Sequence, residues 1–208
     1  MSRAFIFPGQ GSQFVGMGRD LNESFPEAKE TFQEVDDAVG HNLSHIMFGG
    51  DETDLSMTEN TQPALMAVSM AIVNILKKQA RIDLAKSCHF VAGHSLGEYS
   101  ALTAAGALEL ADTARLLKKR GQAMQKAVPV GEGAMAAILG LDLLDVQPIV
   151  KQASEQAGCD FVCETANDNS PGQIVVSGHS AAVEIAKNIA TENGAKKAVL
   201  LPVSAPFH

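Results

Sequence analysis

Residues 92–99 read Ala-Gly-His-Ser-Leu-Gly-Glu-Tyr, with one serine, Ser95, set between Gly93 and Gly97. In a Gly-x-Ser-x-Gly arrangement a strand turns sharply into a helix, and the apical serine takes a strained backbone that flanking glycines make room for. Its hydroxyl then projects over a helix N-terminus, where free amides favour developing negative charge. The chemistry this serves is nucleophilic acyl transfer through a serine ester. Five residues also match by chance in a plain strand-to-helix turn, so the surroundings decide. The apolar His-Phe-Val-Ala before the motif reads as a strand, and the segment from Leu96 reads as a helix.

A second candidate group is Arg120. In the segment 111–127, Arg115, Lys118, Lys119, Gln122, Gln125 and Lys126 follow helical spacing and form one polar face. Arg120 stands outside it, in a row with Leu116, Met124 and Ala127, so its guanidinium is expected on the buried side. A charge there must meet an anion. That anion is either an internal Asp or Glu or a substrate carboxylate, which the planar bidentate guanidinium suits better than lysine would.

The segment Phe7-Pro8-Gly9-Gln10-Gly11-Ser12-Gln13 is a glycine-rich loop. It fails as a dinucleotide fingerprint, because Phe14 stands at the third glycine position, and as a P-loop, because no Gly-Lys-Ser/Thr follows. What remains is a loop able to approach a ligand closely, as the second half of an oxyanion hole would. A serine nucleophile also needs a base. Of six histidines, His41 and His45 stand at i, i+4 without a third metal-ligand candidate, which favours a surface helix. His94 lies inside the elbow and points away from the serine. His89 and His179 sit at strand ends, and His208 follows the last strand.

These groups must be held by alternating elements. Ala4–Phe7 and His89–Ala92 read as buried strands, Gln62–Lys78 and Leu96–Ala107 as helices, which implies a parallel sheet flanked by helices. From Gly133 the order becomes strand (Ala134–Leu139), helix (Leu144–Ala157), strands (Asp160–Thr165 and Gln173–Ser177), helix (Ala181–Asn193) and strand (Lys197–Leu201). This is a ferredoxin-like βαββαβ succession. Asn169-Ser170-Pro171-Gly172 supplies the central turn and Gly194 the second helix's C-cap. The expected fold class is α/β, a parallel-sheet subdomain over residues 1–128 with a smaller inserted subdomain over 129–202.

Composition agrees with a globular chain of 208 residues, 46% of them hydrophobic. Three cysteines without a Cys-x-x-Cys pair suggest neither a disulfide framework nor a zinc site. A formal charge of −8 and few aromatic residues disfavour nucleic-acid binding. No apolar run has bilayer length and the first residues lack the succession of a signal peptide, so a cytoplasmic protein with no membrane association is expected.

The motifs FPGQGSQ (7–13), TQPAL (61–65), GHSLGEYSAL (93–102), RGQAMQKAVP (120–129), GAMAAILGL (133–141), NDNSPGQIVVSG (167–178) and LPVSAPFH (201–208) together resemble the malonyl-CoA:acyl carrier protein transacylases of bacterial fatty acid synthesis. The resemblance implies an α/β-hydrolase-like subdomain carrying the inserted one. It implies ping-pong transfer of a malonyl group from malonyl-CoA to acyl carrier protein, with Ser95 acylated, His208 as general base and no cofactor. Gln10 and Leu96 would give the oxyanion-hole amides, and Arg120 would hold the malonyl carboxylate. Gln62, Asn167, Met124 and Phe207 would be substrate-binding, the Phe207 ring crowding an α-methyl branch. Carrier proteins are acidic, so Lys118, Lys119, Lys196 and Lys197 are candidates for a positive patch, or else ordinary solvated charges. In the family the first subdomain resumes after the histidine, so the chain is expected to be a truncated form. Competing readings are a serine hydrolase or thioesterase on the same elbow, and an inactive fragment.

Overall fold

The computed structural model describes residues 3–129, 131–201, 203 and 205–208. The chain is a mixed α/β protein that divides into two compact units, Met1–Ala123 and Met124–His208. The expected end of the inserted subdomain at Pro202 lies outside the described residues.

In the first unit, β1 (Ala4–Phe7) pairs in parallel with β2 (Phe90–Gly93), Phe7 standing opposite Gly93. Six helices lie between them in the chain: α1 (Arg19–Ser24), α2 (Pro26–Val39), α3 (Leu43–Gly49), α4 (Glu52–Ser56), α5 (Thr58–Gln79) and α6 (Leu84–Ser87). Pro26 opens α2 at its first position, Ala28, Phe32, Val35 and Val39 repeat along one face, and Gly40 closes it at φ 73°. That face packs on α5, where Phe32 is 2% exposed and meets Phe48 edge-on at 5.2 Å. Burying such a ring stabilises the fold by about 2–3 kcal/mol.

The helix α5 begins four residues before the expected Gln62. Pro63 cannot donate to the carbonyl one turn back. The turn ahead of it forms regardless, because the amides of Asn60 and Thr61 both bond the Met57 carbonyl and the Thr61 hydroxyl donates to Leu55 O. Two further helices follow β2: α7 (Gly97–Ala104) and α8 (Leu110–Lys126).

In the second unit, β3 (Gly133–Leu139), α9 (Leu143–Ala157), β4 (Cys163–Ser170), β5 (Gln173–His179), α10 (Ser180–Glu192) and β6 (Lys197–Leu200) succeed one another. The sheet is antiparallel with strand order β4-β5-β3-β6. Ile138, Ile174 and Val176 on one sheet face share a core with Val146 and Ile149 of α9 and Val183 of α10. Asp142 caps α9 in a reciprocal capping box with Asp145 and also accepts from Gly172 N, tying that helix to the β4–β5 turn. At the end of α10, Gly194 N bonds Thr191 O and Ala195 N bonds Ala190 O, a Schellman closure with Gly194 at φ 90°.

Strand β4 departs most from expectation: it starts at Cys163 rather than Asp160 and runs on through Asn167, Asp168 and Asn169. These residues have low strand propensity, but the ladder to β5 imposes the extended form. Register shifts between Thr165 and Asn167 and between Asp168 and Ser170 absorb the misfit. The turn narrows to Pro171 and Gly172, the latter at φ 74°.

Candidate active site

The serine's setting follows from backbone packing. A Cβ on Gly93 would lie 1.9 Å from the Gly97 carbonyl carbon, and one on Gly97 would lie 2.4 Å from Phe7 O. Neither position admits a side chain. The bend between them is held by His94 N donating to Phe7 O at 3.1 Å and Gly97 N to His94 O at 2.9 Å. Ser95 sits at φ 53°, the left-handed region that a non-glycine residue occupies only under constraint. Leu96 is buried at the start of α7, and among the described residues no hydrogen bond takes up its backbone amide or that of Gln10. The Leu96 amide, buried without a protein partner, is a donor available to a ligand oxygen, while Gln10 is exposed.

Arg120 reaches this serine. Its Nη2 donates to Ser95 Oγ at 3.1 Å and its Nη1 to Gln62 Oε1 at 2.7 Å, while its Cζ stands 5.7 Å from the Tyr99 ring centroid. Gln62 is fully buried on α5. The ion pairs among the described residues are Lys86–Asp83, Arg115–Asp112 and Lys187–Glu184, so Arg120 faces no carboxylate. Its partners are a neutral amide, a hydroxyl and a ring face, none of which cancels its charge. Of the two anions the sequence left open, the internal acid is therefore ruled out among the described residues.

The buried face of α8 differs from the one its spacing predicts. The buried stripe of α8 is Thr113, Ala114, Leu117 and Gly121, while Leu116 is 44% exposed. Arg120 lies at the edge of that stripe, beside Gly121, and its long stem carries the guanidinium inward. Lys118, placed on the solvated face by its spacing, instead donates to Val39 O at 2.7 Å and lies 3.3 Å from His41 Nδ1. Its ammonium caps the C-terminus of α2. His41 and His45 do not share a helix: His41 precedes α3, and Asn42 caps that helix by accepting from His45 N. Among the described residues no group of three or more potential metal ligands occurs.

Tyr99 and Gly121 escaped sequence reasoning. Tyr99 stands one helical turn beyond Ser95, which was a usable signal. Gly121 acquires its meaning only where α8 crosses α5, which no local pattern encodes.

The remaining expected site residues belong to the second unit or to the last turn of α8, where half-buried Met124 sits. Asn167 occupies β4 opposite Val175, directly after the first register shift. Half-buried Phe207 and exposed His208, at φ 59°, end the chain. That segment is anchored by Ala205, which is buried, and by Pro206, whose ring fills the space a Cβ on Gly133 would need. His208 borders a cavity of about 230 Å³ with Glu132, Glu164, Ser177 and His179.

Residues 4–201 match the acyl transferase domain family. The chain belongs to that family. As an acyl transferase domain it is 48% identical over 205 residues to the malonyl CoA-acyl carrier protein transacylase of Bacillus subtilis, covering 99% of this chain and 62% of that protein. The acyl-carrier-protein S-malonyltransferase of Bartonella henselae superposes with a TM-score of 0.95 at 57% identity, over 100% of this chain and 65% of that one. A malonyl-transacylase solved in complex with its type II PKS acyl-carrier protein superposes with a TM-score of 0.91 at 42% identity, over 99% of this chain and 64% of that one. The domain described here thus spans just under two thirds of the length of these relatives. Among the described residues, no helix of this acyl transferase domain is long and apolar enough to cross a membrane.

Proposed function

We propose that the protein transfers a malonyl group from malonyl-CoA to the phosphopantetheine thiol of acyl carrier protein through a malonyl ester on Ser95. The observation that carries this reading is the Arg120 guanidinium, bonded to the nucleophile and a buried amide and facing no acid among the described residues. A thioester bearing a carboxylate supplies the missing anion. A plain fatty acyl chain would leave the cation unpaired, which is penalised in a site closed to water.

In the first half-reaction Ser95 Oγ attacks the thioester carbonyl, its proton passes to His208 and the coenzyme A thiolate leaves, taking the proton back as thiol. The amides of Gln10 and Leu96 hold the oxyanion of the tetrahedral intermediate. The carrier's thiol then repeats the sequence in reverse. Transfer rather than hydrolysis requires that water stay out until that thiol arrives. Gln62, Asn167, Met124 and Phe207 line the substrate, the Phe207 ring selecting against an α-methyl branch. The reading needs no cofactor, and it places the enzyme in the cytoplasm with malonyl-CoA and acyl carrier protein as partners, without nucleic acid or membrane.

The architecture read with it is an α/β-hydrolase-like subdomain over 1–128, resuming at 203–208, with a ferredoxin-like insertion over 129–202. The parallel β1–β2 pair leading into the elbow supports the first, and the strand order β4-β5-β3-β6 of the βαββαβ unit supports the second.

Intact-mass measurement of the natural full-length polypeptide with malonyl-CoA tests the function. A malonyl adduct is expected on the parent, absent in Ser95→Ala and reduced at least tenfold in rate in Arg120→Ala, with transfer to carrier protein outrunning release of free malonate. Faster malonate release would make the protein a hydrolase, and no adduct would remove the acyl-enzyme altogether. In the same assay Phe207→Ala is expected to gain methylmalonyl-CoA relative to malonyl-CoA; an unchanged ratio dismisses that role.

A further inference from the structure

Three consecutive residues of α8 engage the first turns of α5. Arg120 donates to Gln62; Gln122 Nε2 donates to Glu59 Oε2 at 2.7 Å; and between them Gly121 is buried. A Cβ on Gly121 would stand 2.6 Å from Glu59 Cα, 2.7 Å from Glu59 N and 2.7 Å from Thr58 O. All three are backbone atoms, so no side-chain rotation could relieve the contact. Glycine is the poorest interior helix former after proline, and here its φ is not in the left-handed region. The position therefore serves close approach rather than backbone freedom.

We propose that Gly121 is a positioning residue for Arg120: the bare crossing of α8 on α5, latched by the Gln122–Glu59 bond, sets how far the guanidinium reaches toward Ser95. The inference rests on the role given above to Arg120. The bond from Nη2 to Ser95 Oγ is already 3.1 Å long. Ordinary carbon contacts at about 3.5–4.0 Å would drive α8 back by roughly 1 Å if position 121 carried a methyl group. That shift exceeds what the bond can absorb, and a displacement of this size costs on the order of 100-fold where it misplaces a group that binds the reacting substrate. The Nη2 bond donates to the Ser95 hydroxyl and takes no proton from it, so its loss should leave the serine a nucleophile while the displaced clamp loses preference for a carboxylated acyl group.

The test compares Gly121→Ala, Glu59→Ala, Glu59→Gln and Arg120→Ala with the parent in the natural full-length polypeptide. The readouts are kcat/KM for malonyl-CoA and for acetyl-CoA, labelling of Ser95 by a neutral fluorophosphonate, and circular dichroism to establish folding. Gly121→Ala is expected to lower the malonyl-over-acetyl preference by roughly 10- to 100-fold, with acetyl-CoA turnover and fluorophosphonate labelling unchanged. Glu59→Ala should move the preference the same way, and Glu59→Gln, whose amide oxygen still accepts from Gln122, should restore it. A purely structural role would depress all substrates together. Parent-level preference in folded Gly121→Ala, or in Glu59→Ala if the glycine variant does not fold, overturns the inference. If Arg120→Ala itself keeps the parent preference, the clamp reading fails and takes the seat with it; if Arg120→Ala loses it while the seat variants do not, the seat alone is wrong.

Discussion

Ser95 holds a left-handed backbone at φ 53° while its hydroxyl accepts from a guanidinium that no carboxylate among the described residues neutralises. Both features cost stability, and costs of this kind collect at functional sites. Ser95→Gly should therefore melt higher than Ser95→Ala, by the equivalent of about 1 kcal/mol, because glycine takes the left-handed conformation without the Cβ penalty that alanine retains. Neither variant can form an ester. Equal melting temperatures for the two in a thermal denaturation would show that the elbow is unstrained. The elbow around Ser95 was legible because glycines must flank so tight a bend, and the inward turn of Arg120 because its cation stood off the polar face that its neighbours form. Tyr99 was legible only in its place one turn beyond Ser95; that its ring lies 5.7 Å from a guanidinium arriving from another helix was not.

Glycines at two junctions separate backbone strain from steric exclusion. At Gly194 a Cβ would meet nothing within 4 Å, so only the positive φ of the Schellman closure resists substitution. At Gly97 the backbone has no positive φ, but Phe7 O lies 2.4 Å from where a Cβ would be. Gly194→Ala should lower stability by about 1–2 kcal/mol and leave acylation of Ser95 untouched. Gly97→Ala should abolish acylation, because either β1 or the head of α7 must move to make room. Thermal melts beside intact-mass acylation check both, and a Gly97→Ala variant with parent activity would show that the elbow yields where its geometry says it cannot. The same distinction explains what local patterns could predict. Strands β1, β3 and β6 and helices α9 and α10 came out within one residue or so at each end, since apolar period and capping residues act locally. The polar β4 and the buried stripe of α8 did not, since one is drawn into a ladder by β5 and the other is decided by what crosses it.

Each unit has its own core: one set of buried side chains centres on α2 and α5, another on the sheet and helices that follow Gly133. Their cysteines give separate reporters. Cys88 is half-buried in the first unit; Cys163 is buried in the second, and Cys159 beside it is exposed. Burial pushes the Cys163 thiol up to about 12, with the adjacent Glu164 carboxylate adding to the shift. An unfolded thiol ionises near pH 8.5. The stability contributed by keeping this thiol neutral is thus complete below about pH 8.5 and drains away as pH rises toward the folded value, because only the unfolded state loses its proton in that window. Native protein at pH 8 should take up one iodoacetamide on Cys159 quickly and none on Cys163 until the second core opens. Raising the pH from about 8.5 to 10.5 should lower the denaturant midpoint of the parent, and Cys163→Ala should flatten that dependence. Rapid native labelling of Cys163, or an equally steep alkaline loss in Cys163→Ala, would mean that the second core does not shield the thiol and that its antiparallel sheet is more open than the packing of α9 and α10 requires.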